Sequence, residues 1–228
     1  MTLPNRHDKV VSNERRETSK MGKKFFDPIF SSEMTSYSAI KPDDGKYRDF
    51  LFDDPFFEVK FAEEFNGCRF VHVRFSGDLK KIKFIDCHFL SCDFSNLDFS
   101  QSLFHRVHFD QCKATGSIFR KSKFKFITFS KCQCTLTDFS ESNFEGAIIA
   151  ESNFSESAFQ SCQQTNMKTT HVDFTQADFS DTALAKMDLS GCTMNGVRLS
   201  PHLLKGLSVD PQQAIGLVQL LGIIVKDE

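Results

Sequence analysis

The chain contains no tryptophan, only two tyrosines and six prolines among its 228 residues. It also lacks an apolar run long enough to cross a bilayer as a helix, so we expect no membrane contact and no secretory signal. The formal net charge of −2 predicts no partner by itself, and we expect no direct binding of nucleic acid. What is abundant is phenylalanine, with 27 copies. This bias towards one aromatic type indicates a core made of one repeated slot.

A large apolar residue returns every fifth position from Phe84 to Leu199. This spacing gives 24 positions, of which 15 are phenylalanine, and a small residue stands two positions before most of them. A period of five is neither helical nor simple strand alternation. It predicts a chain that turns a corner every five residues and sends the central side chain inward each time.

Small inward residues of one type recur at intervals of 20. Cys92, Cys112 and Cys132 form one such ladder, and Ser102, Ser122 and Ser142 form another. Residue n therefore lies above residue n minus 20, and four pentapeptides make one coil. The step from Phe75 to Leu79 is four residues, which predicts an irregular corner around residues 76–78.

The repeat unit, as in Cys92-Asp93-Phe94 and Ala177-Asp178-Phe179, resembles the pentapeptide-repeat family over about residues 59–199. The resemblance implies an all-β solenoid, the right-handed four-sided parallel β-helix. We divide the chain into a disordered basic tail (1–24), an N-terminal arm or cap (25–56), the β-helix (57–200) and a C-terminal segment (201–228). In the arm, we favour a cap over the first coil and keep a docking arm for a partner as the alternative.

All eight cysteines fall on inward positions, which predicts reduced core thiols and a cytoplasmic protein. Cys132 and Cys134 have no converging histidine or second cysteine pair, so we expect no metal and no cofactor. We also expect no enzyme, because a filled solenoid has no cleft in which catalytic groups converge. We expect His88, His105 and His108 to be solvated wall residues.

The last residues follow a different pattern. Asp210, Pro211 and Gln213 are a helix start signal, and we predict a helix at 211–221 followed by a short strand at 223–225. The segment caps the last coil or forms a dimer contact, or does both. Candidate dimerisation residues share one apolar face or continue it: Ala214, Leu217, Val218, Leu221 and Ile223.

This tail, from Leu204 to Val225, is similar to the C-terminus of Qnr-type quinolone-resistance proteins. That resemblance implies a two-fold homodimer and a rod with an acidic surface. Such a rod imitates duplex DNA and binds a type II topoisomerase, DNA gyrase or topoisomerase IV.

Charge is uneven along the repeat. Residues 84–131 hold seven basic and four acidic side chains, whereas residues 132–200 hold three basic and nine acidic ones. The DNA-mimic hypothesis therefore places the partner site on acidic upper coils, at Glu141, Glu145, Glu151, Glu156, Asp173, Asp178 and Asp181.

The alternative is a structural or adaptor rod that binds another protein through its N-terminal arm or its basic coil. The basic coil contains Arg120, Lys121, Lys123 and Lys125, and Phe126 among them is a candidate contact residue at a corner beside Arg106. Cation–π packing on Arg106 is the other explanation for Phe126.

Overall fold

In the computed structural model, which describes residues 27–37, 45–59, 64–220 and 222–226, each coil lies in parallel on the coil before it. From Lys83 onward, paired residues are 20 positions apart, as in Lys83 with Leu103 and Lys123 with Asn143. The register confirms four pentapeptides per coil. The fold is a right-handed four-sided parallel β-helix of about 8 turns.

Ten strands form the largest sheet, which runs along the rod, and two smaller sheets have two strands each. The long strands bend at a corner residue with positive φ, such as Arg106 (φ 53°). The strands are β1 (Thr35–Ser36), β2 (Lys46–Arg48), β3 (Phe50–Phe52), β4 (Phe56–Val59), β5 (Glu64–Asn66), β6 (Arg69–Val71), β7 (Arg74–Gly77), β8 (Lys83–Leu90), β9 (Leu103–Asp110), β10 (Lys123–Ser130), β11 (Asn143–Ala150), β12 (Gln163–Thr170), β13 (Asp178–Phe179) and β14 (Arg198–Leu199).

Stacked phenylalanines fill the centre of the rod. The rings of Phe104 and Phe124 are 4.9 Å apart and nearly parallel, and those of Phe159 and Phe179 are 4.8 Å apart. Each such side chain is almost fully buried, and removing a large apolar side chain from water contributes about 1.5–3 kcal/mol. The five-residue period is thus explained by one aromatic slot repeated along the axis.

The small inward polar residues form hydrogen bonds with neighbouring coils. The Ser122 hydroxyl donates to the Phe99 carbonyl at 2.9 Å, and the Ser122 N–H donates to the Ser142 hydroxyl at 3.0 Å. All eight cysteines are buried free thiols. Burial raises the pKa of the Cys162 thiol to about 12, so this sulfur stays protonated at neutral pH.

Two irregularities interrupt the regular coils, and the first was predicted. Pairing changes from 19 positions apart, Arg74 with Asp93, to 20 positions apart at β8, which places the missing residue at 76–78 as predicted. Gly77 lies there at φ +103°, and an added Cβ would meet the Val59 carbonyl oxygen at 2.1 Å. Gln164 is a polar residue at a central position, and its side-chain amide donates to the carbonyls of Ala183 and Ala185.

At the N-terminal end, the segment interpreted as an arm or cap contributes strands β1–β3 to the main sheet. Lys46 pairs with Glu64 and Leu51 with Arg69, both 18 positions apart. Coil stacking therefore extends below Phe57, because a shorter coil keeps the parallel ladder while losing the five-residue phase. Residues 1–24, predicted as a disordered tail, lie outside the described residues, and the domain boundaries stay a prediction.

The C-terminal helix α1 spans Pro211–Leu220, after a 3-10 turn at Pro201–Leu203. Asp210 caps it: its Oδ1 accepts from the N–H groups of Gln212 and Gln213, and Gln213 Oε1 accepts from the Asp210 N–H. The Gln213 amide also donates to the carbonyls of Leu189 and Cys192, which fixes the helix on the last coils.

The predicted strand at 223–225 was wrong, since residues 223–226 have no strand structure. A strand needs a hydrogen-bonded neighbour, and the described part of this chain supplies none at that position. In the same described residues, no helix is both long and apolar enough to cross a membrane.

Candidate protein-binding surface

One side of the rod differs from the other three in its outward side chains. We call it the amide side, and it is defined by the ladder Gln133, Asn153, Asp173 and Thr193, whose backbones are bridged coil to coil. Its corner positions, in the left-handed conformation, include Glu151 (φ 48°) on one edge and Glu156 (φ 57°) on the other. Above Lys131, the outward positions of this side contain no lysine or arginine.

The seven acidic candidates fall into two groups. Glu141 pairs with Lys121 at 3.3 Å and Glu145 with Lys125 at 3.0 Å, each one coil below. The repeat of 20 places Lys121 below Glu141 and Asp86 below Arg106, and both ion pairs are present. These carboxylates are neutralised by the basic coil beneath them.

Asp178 belongs to the same group and is buried, with 4% of its surface exposed. Its Oδ2 accepts from Arg198 at 2.8 Å and from Gln160 at 2.6 Å. Burial alone would raise the pKa of this carboxyl, but hydrogen bonds from Ser180, Gln160 and Arg198 outweigh it and hold the pKa below its ordinary value. Asp178 therefore acts in the coil wall, and a partner has little access to it.

The second group is Glu151, Glu156, Asp173 and Asp181. Within the described part of the chain, none of these four carboxylates takes part in an ion pair. Asp173 Oδ1 accepts the Thr175 N–H, and Asp181 Oδ1 lies 3.4 Å from the Ser200 hydroxyl. Unneutralised negative charge on the upper coils thus comes from a smaller set than composition indicated.

A groove of about 370 Å³ opens on the amide side between its edge and its ladder. The corner residues Glu151, His171 and Gly191 form one wall. Because Gly191 has no side chain and nothing within 4 Å of where a Cβ would lie, the upper end is open. The remaining lining residues are Gln133, Ser152, Asn153, Val172, Asp173 and Thr193.

Two large apolar side chains project from the wall between residues 64 and 200. Leu136 is 54% exposed and Ile118 is 37% exposed. Leu136 lies at the corner of the amide side opposite the groove, and sequence reasoning missed it. The sequence did mark it, because the residues at the same corner in the coils below and above, Gly116 and Glu156, are not apolar like Leu136.

Phe126, the aromatic candidate, is half-buried at the corner where the long strand β10 bends. Lys125 Nζ lies 5.3 Å from its ring centroid, and the His105 ring lies 6.2 Å from it. Arg106, one coil below, makes a two-pronged pair with Asp86, with Nη2 to Oδ2 at 2.6 Å. The role of Phe126 in partner binding stays a prediction.

His88, His105 and His108 lie on the wall as predicted, but each is half-buried rather than fully solvated, and His88 and His108 have acidic partners. His88 Nε2 lies 2.6 Å from Asp110 Oδ2, and His108 Nε2 lies 3.6 Å from Asp27. Asp27 belongs to an N-terminal segment that crosses this wall, where the Ile29 N–H donates to Asp86 at 3.1 Å. His108 therefore helps to hold that segment, whereas His88 pairs within the coil wall.

The described residues contain no group of three or more histidine, cysteine, aspartate or glutamate side chains placed to hold a metal ion. Cys134 is buried, which raises the pKa of its thiol. A neutral, buried thiol is a poor metal ligand. This arrangement does not support a metal site at Cys132 and Cys134.

The residues predicted to form a dimer contact differ in their exposure. Ala214, Leu217 and Val218 are half-buried by their own chain, whereas Ile223 is 53% exposed. The side chain of Leu221 lies outside the described residues. The exposed apolar side chains at this end are Ile215, Leu220, Ile223, Ile224 and Val225.

Family models match the chain in two places. A model described as "Pentapeptide repeat region" matches residues 63–139, and one described as "Pentapeptide repeats (8 copies)" matches residues 165–200. The chain is a pentapeptide-repeat protein. No curated protein sequence matches it.

Solved structures of pentapeptide-repeat proteins are similar at low identity. A trypsin-treated variant of QnrB1, described as a plasmid-mediated fluoroquinolone resistance protein, is 21% identical, with 80% of this chain and 100% of that chain covered and a TM-score of 0.42. A pentapeptide repeat protein from the thylakoid lumen of Arabidopsis thaliana is 16% identical, with coverages of 56% and 74% and a TM-score of 0.34. HetL from Nostoc is 12% identical, with coverages of 86% and 93% and a TM-score of 0.26.

Proposed function

We propose that this pentapeptide-repeat protein is a non-catalytic rod that binds a protein partner through its acidic upper coils. The specific partner we propose is a type II topoisomerase, DNA gyrase or topoisomerase IV, which the rod engages as a mimic of DNA. The single observation that carries the proposal is a set of four exposed or half-exposed carboxylates that form no ion pair with any described residue, Glu151, Glu156, Asp173 and Asp181. A protein groove that holds DNA phosphates attracts such charges.

Two further properties belong to this proposal. The exposed apolar residues at the C-terminal end support a homodimer that joins the upper coils of two chains and makes one longer acidic surface. Eight buried free thiols support a reducing compartment, and we place the protein in the cytoplasm.

The non-catalytic part of the proposal rests on how the interior is filled. Phenylalanine rings stack at about the thickness of a coil, so the rod has no internal cleft in its regular coils. The groove on the amide side is open, and the serine hydroxyl that lines it, that of Ser152, donates to the Ala150 carbonyl and not to a general base. Binding is therefore the function that its side chains support best.

The test is gyrase supercoiling in the presence of ciprofloxacin, with and without the full chain. The proposal predicts that supercoiling is restored in a dose-dependent way and that protection weakens as salt rises. Unchanged inhibition at a molar excess of the protein, together with no binding to gyrase or topoisomerase IV, would contradict it.

A second candidate is an adaptor rod for another protein. It is favoured by the cross-coil ion pairs of Glu141 and Glu145, which shorten the acidic surface relative to a length of duplex DNA. Phe126 is the contact residue for this function. If a partner is known, Phe126→Ala should reduce its capture without lowering the melting temperature; loss of stability alone would assign the ring to packing.

A further inference from the structure

Leu136 occupies a position that neither packing nor turn geometry requires to be apolar. Its φ is +59°, a left-handed conformation that is unfavourable for a branched side chain, and 54% of its surface is exposed. At the same corner, neighbouring coils use Asn96, Gly116, Glu156 and Gln176, which suit this conformation or exposure better. The leucine therefore costs stability at a place where it gains no core contact.

Ile118 extends the apolar spot around Leu136. It pairs with Asp138, two residues after Leu136, so the two apolar residues are diagonal neighbours on adjacent coils. Gly116, directly below Leu136 in the stack, has no side chain to cover them. Ile118 belongs to the ladder of the next side, with Asp98 and Asp138, so the two residues form a small apolar patch around the corner that ends the amide side.

The opposite edge of the same side is negatively charged. Glu151 and Asp173 both line the groove, and in the described residues neither has a cationic partner. Gln133 lines the groove too, and it precedes Leu136 by three residues, or at most roughly 10 Å of extended chain. Leu136 and the acidic groove thus lie at the two edges of one face, within the reach of one extended segment.

We propose that the amide side binds a cationic, extended segment of a protein partner. One apolar side chain of that segment packs on Leu136 and Ile118, while a lysine or arginine of the same segment enters the groove between Glu151 and Asp173. This inference rests on the proposed function as a protein-binding rod and names the surface and the chemistry of what it binds. A nucleic-acid occupant is disfavoured, because phosphates would be repelled by both carboxylates.

The size of the surface fits a short segment. The ladder from Gln133 to Thr193 spans three coil steps of about 4.8 Å, or roughly 14 Å. An extended peptide covers this length with about five residues. The amide groups of Gln133 and Asn153 offer hydrogen bonds along the way, with Asn153 Oδ1 already accepting the Ser155 N–H.

The test compares two variants of the full chain. The amide-side variant carries Leu136→Asn, Glu151→Gln and Asp173→Asn; asparagine tolerates the left-handed corner and keeps the Thr175 hydrogen bond. The control carries Asp188→Asn and Glu64→Gln, which remove the same number of charges elsewhere. Thermal melts first establish that both variants fold.

Binding is then measured by anisotropy with gyrase and, separately, with a labelled nine-residue peptide of alternating arginine and leucine. The amide-side variant should bind each ligand that the parent binds at least tenfold more weakly, with the control within twofold of the parent. Equal gyrase binding by all three proteins overturns the inference and leaves the proposed function standing. If the parent does not bind gyrase, the proposed function is contradicted, and the peptide measurement alone tests the inference. Peptide binding that is absent, or that the amide-side substitutions do not weaken, overturns the inference.

Discussion

Phe124 shows at the scale of one residue what the repeat requires. Its ring lies between those of Phe104 and Phe144, with centroids 4.9 and 4.7 Å away and nearly parallel planes. Two residues later, Phe126 stands at a corner and is half-buried. The same residue type therefore has opposite roles according to its phase in the pentapeptide.

This contrast gives a matched pair of substitutions. Phe124→Ala should lower the free energy of unfolding by about 3–5 kcal/mol, because it leaves a cavity between stacked rings. Phe126→Ala should cost about 1 kcal/mol or less, as expected for a surface position. Denaturant melts of both variants check this, and equal losses would contradict the assignment of inward and outward positions.

The sequence predicts which charged residues stack on each other, but not which of them are buried. The position of Glu141 above Lys121 follows from the repeat of 20, and this ion pair was predictable. The buried state of Asp178 was not, because its burial depends on how Gln160 and Arg198 fold over it. Outward position in the repeat thus fixes direction, whereas exposure depends on neighbouring side chains.

At the scale of the element, helix α1 attaches through Gln213 and leaves other residues open. Its half-buried face contains Ala214, Leu217 and Val218, the residues that periodicity indicated for a dimer contact. Ile215 is 47% exposed and Leu220 is 47% exposed. The exposed apolar surface of the helix, which we propose as the dimer contact, is therefore rotated from the face that periodicity indicated.

Replacement of both exposed residues, Ile215→Asp with Leu220→Asp, should convert the proposed dimer to a monomer, because burying carboxylates in an apolar contact is unfavourable. Gln219→Asp, which adds a charge on the same helix without removing an apolar contact, should leave the dimer intact. Light scattering after size exclusion measures both. A parent that is monomeric, or a double variant that remains dimeric, contradicts this contact.

Strand and coil were predictable to different degrees. The regular coils from Lys83 onward follow directly from the period of five, since one residue type repeats in one slot. The 19-residue coil follows from the four-residue step after Phe75, but the 18-residue spacing below it was not predictable from the period, because shortened corners there break the phase. The absent strand at 223–225 shows that apolar β-branched residues alone do not form a strand without a neighbour.

For the whole molecule, carboxylates in the coil walls link stability to pH. Burial raises the pKa of the Asp138 and Asp178 carboxyls. Hydrogen bonds from Ser140 and Ser180, together with cationic neighbours, outweigh burial and lower each pKa below the unfolded value near 3.8. Asp188 behaves likewise, mainly through Ser190. Groups with a lowered pKa contribute stability above the unfolded pKa and lose it as pH falls through the folded one.

The free energy of unfolding should therefore be nearly constant, as far as these groups are concerned, between pH 5 and 7 and should fall below about pH 4. Urea melts across this range measure it. Asp178→Asn should flatten part of the acid limb, while Asp181→Asn, at an exposed corner, should change it little. Stability that stays constant down to pH 2 would contradict the assigned role of these carboxylates.

The account of the whole molecule depends on the four carboxylates that have no ion pair within the described part of the chain. The most direct measurement is the affinity of the full chain for gyrase as a function of salt, with Glu151→Gln, Glu156→Gln, Asp173→Asn and Asp181→Asn combined in one variant. The account predicts tight binding by the parent at low salt, a steep fall with rising salt, and at least a tenfold loss with a shallower salt dependence in the variant. An affinity and salt dependence that the four substitutions leave unchanged would contradict it.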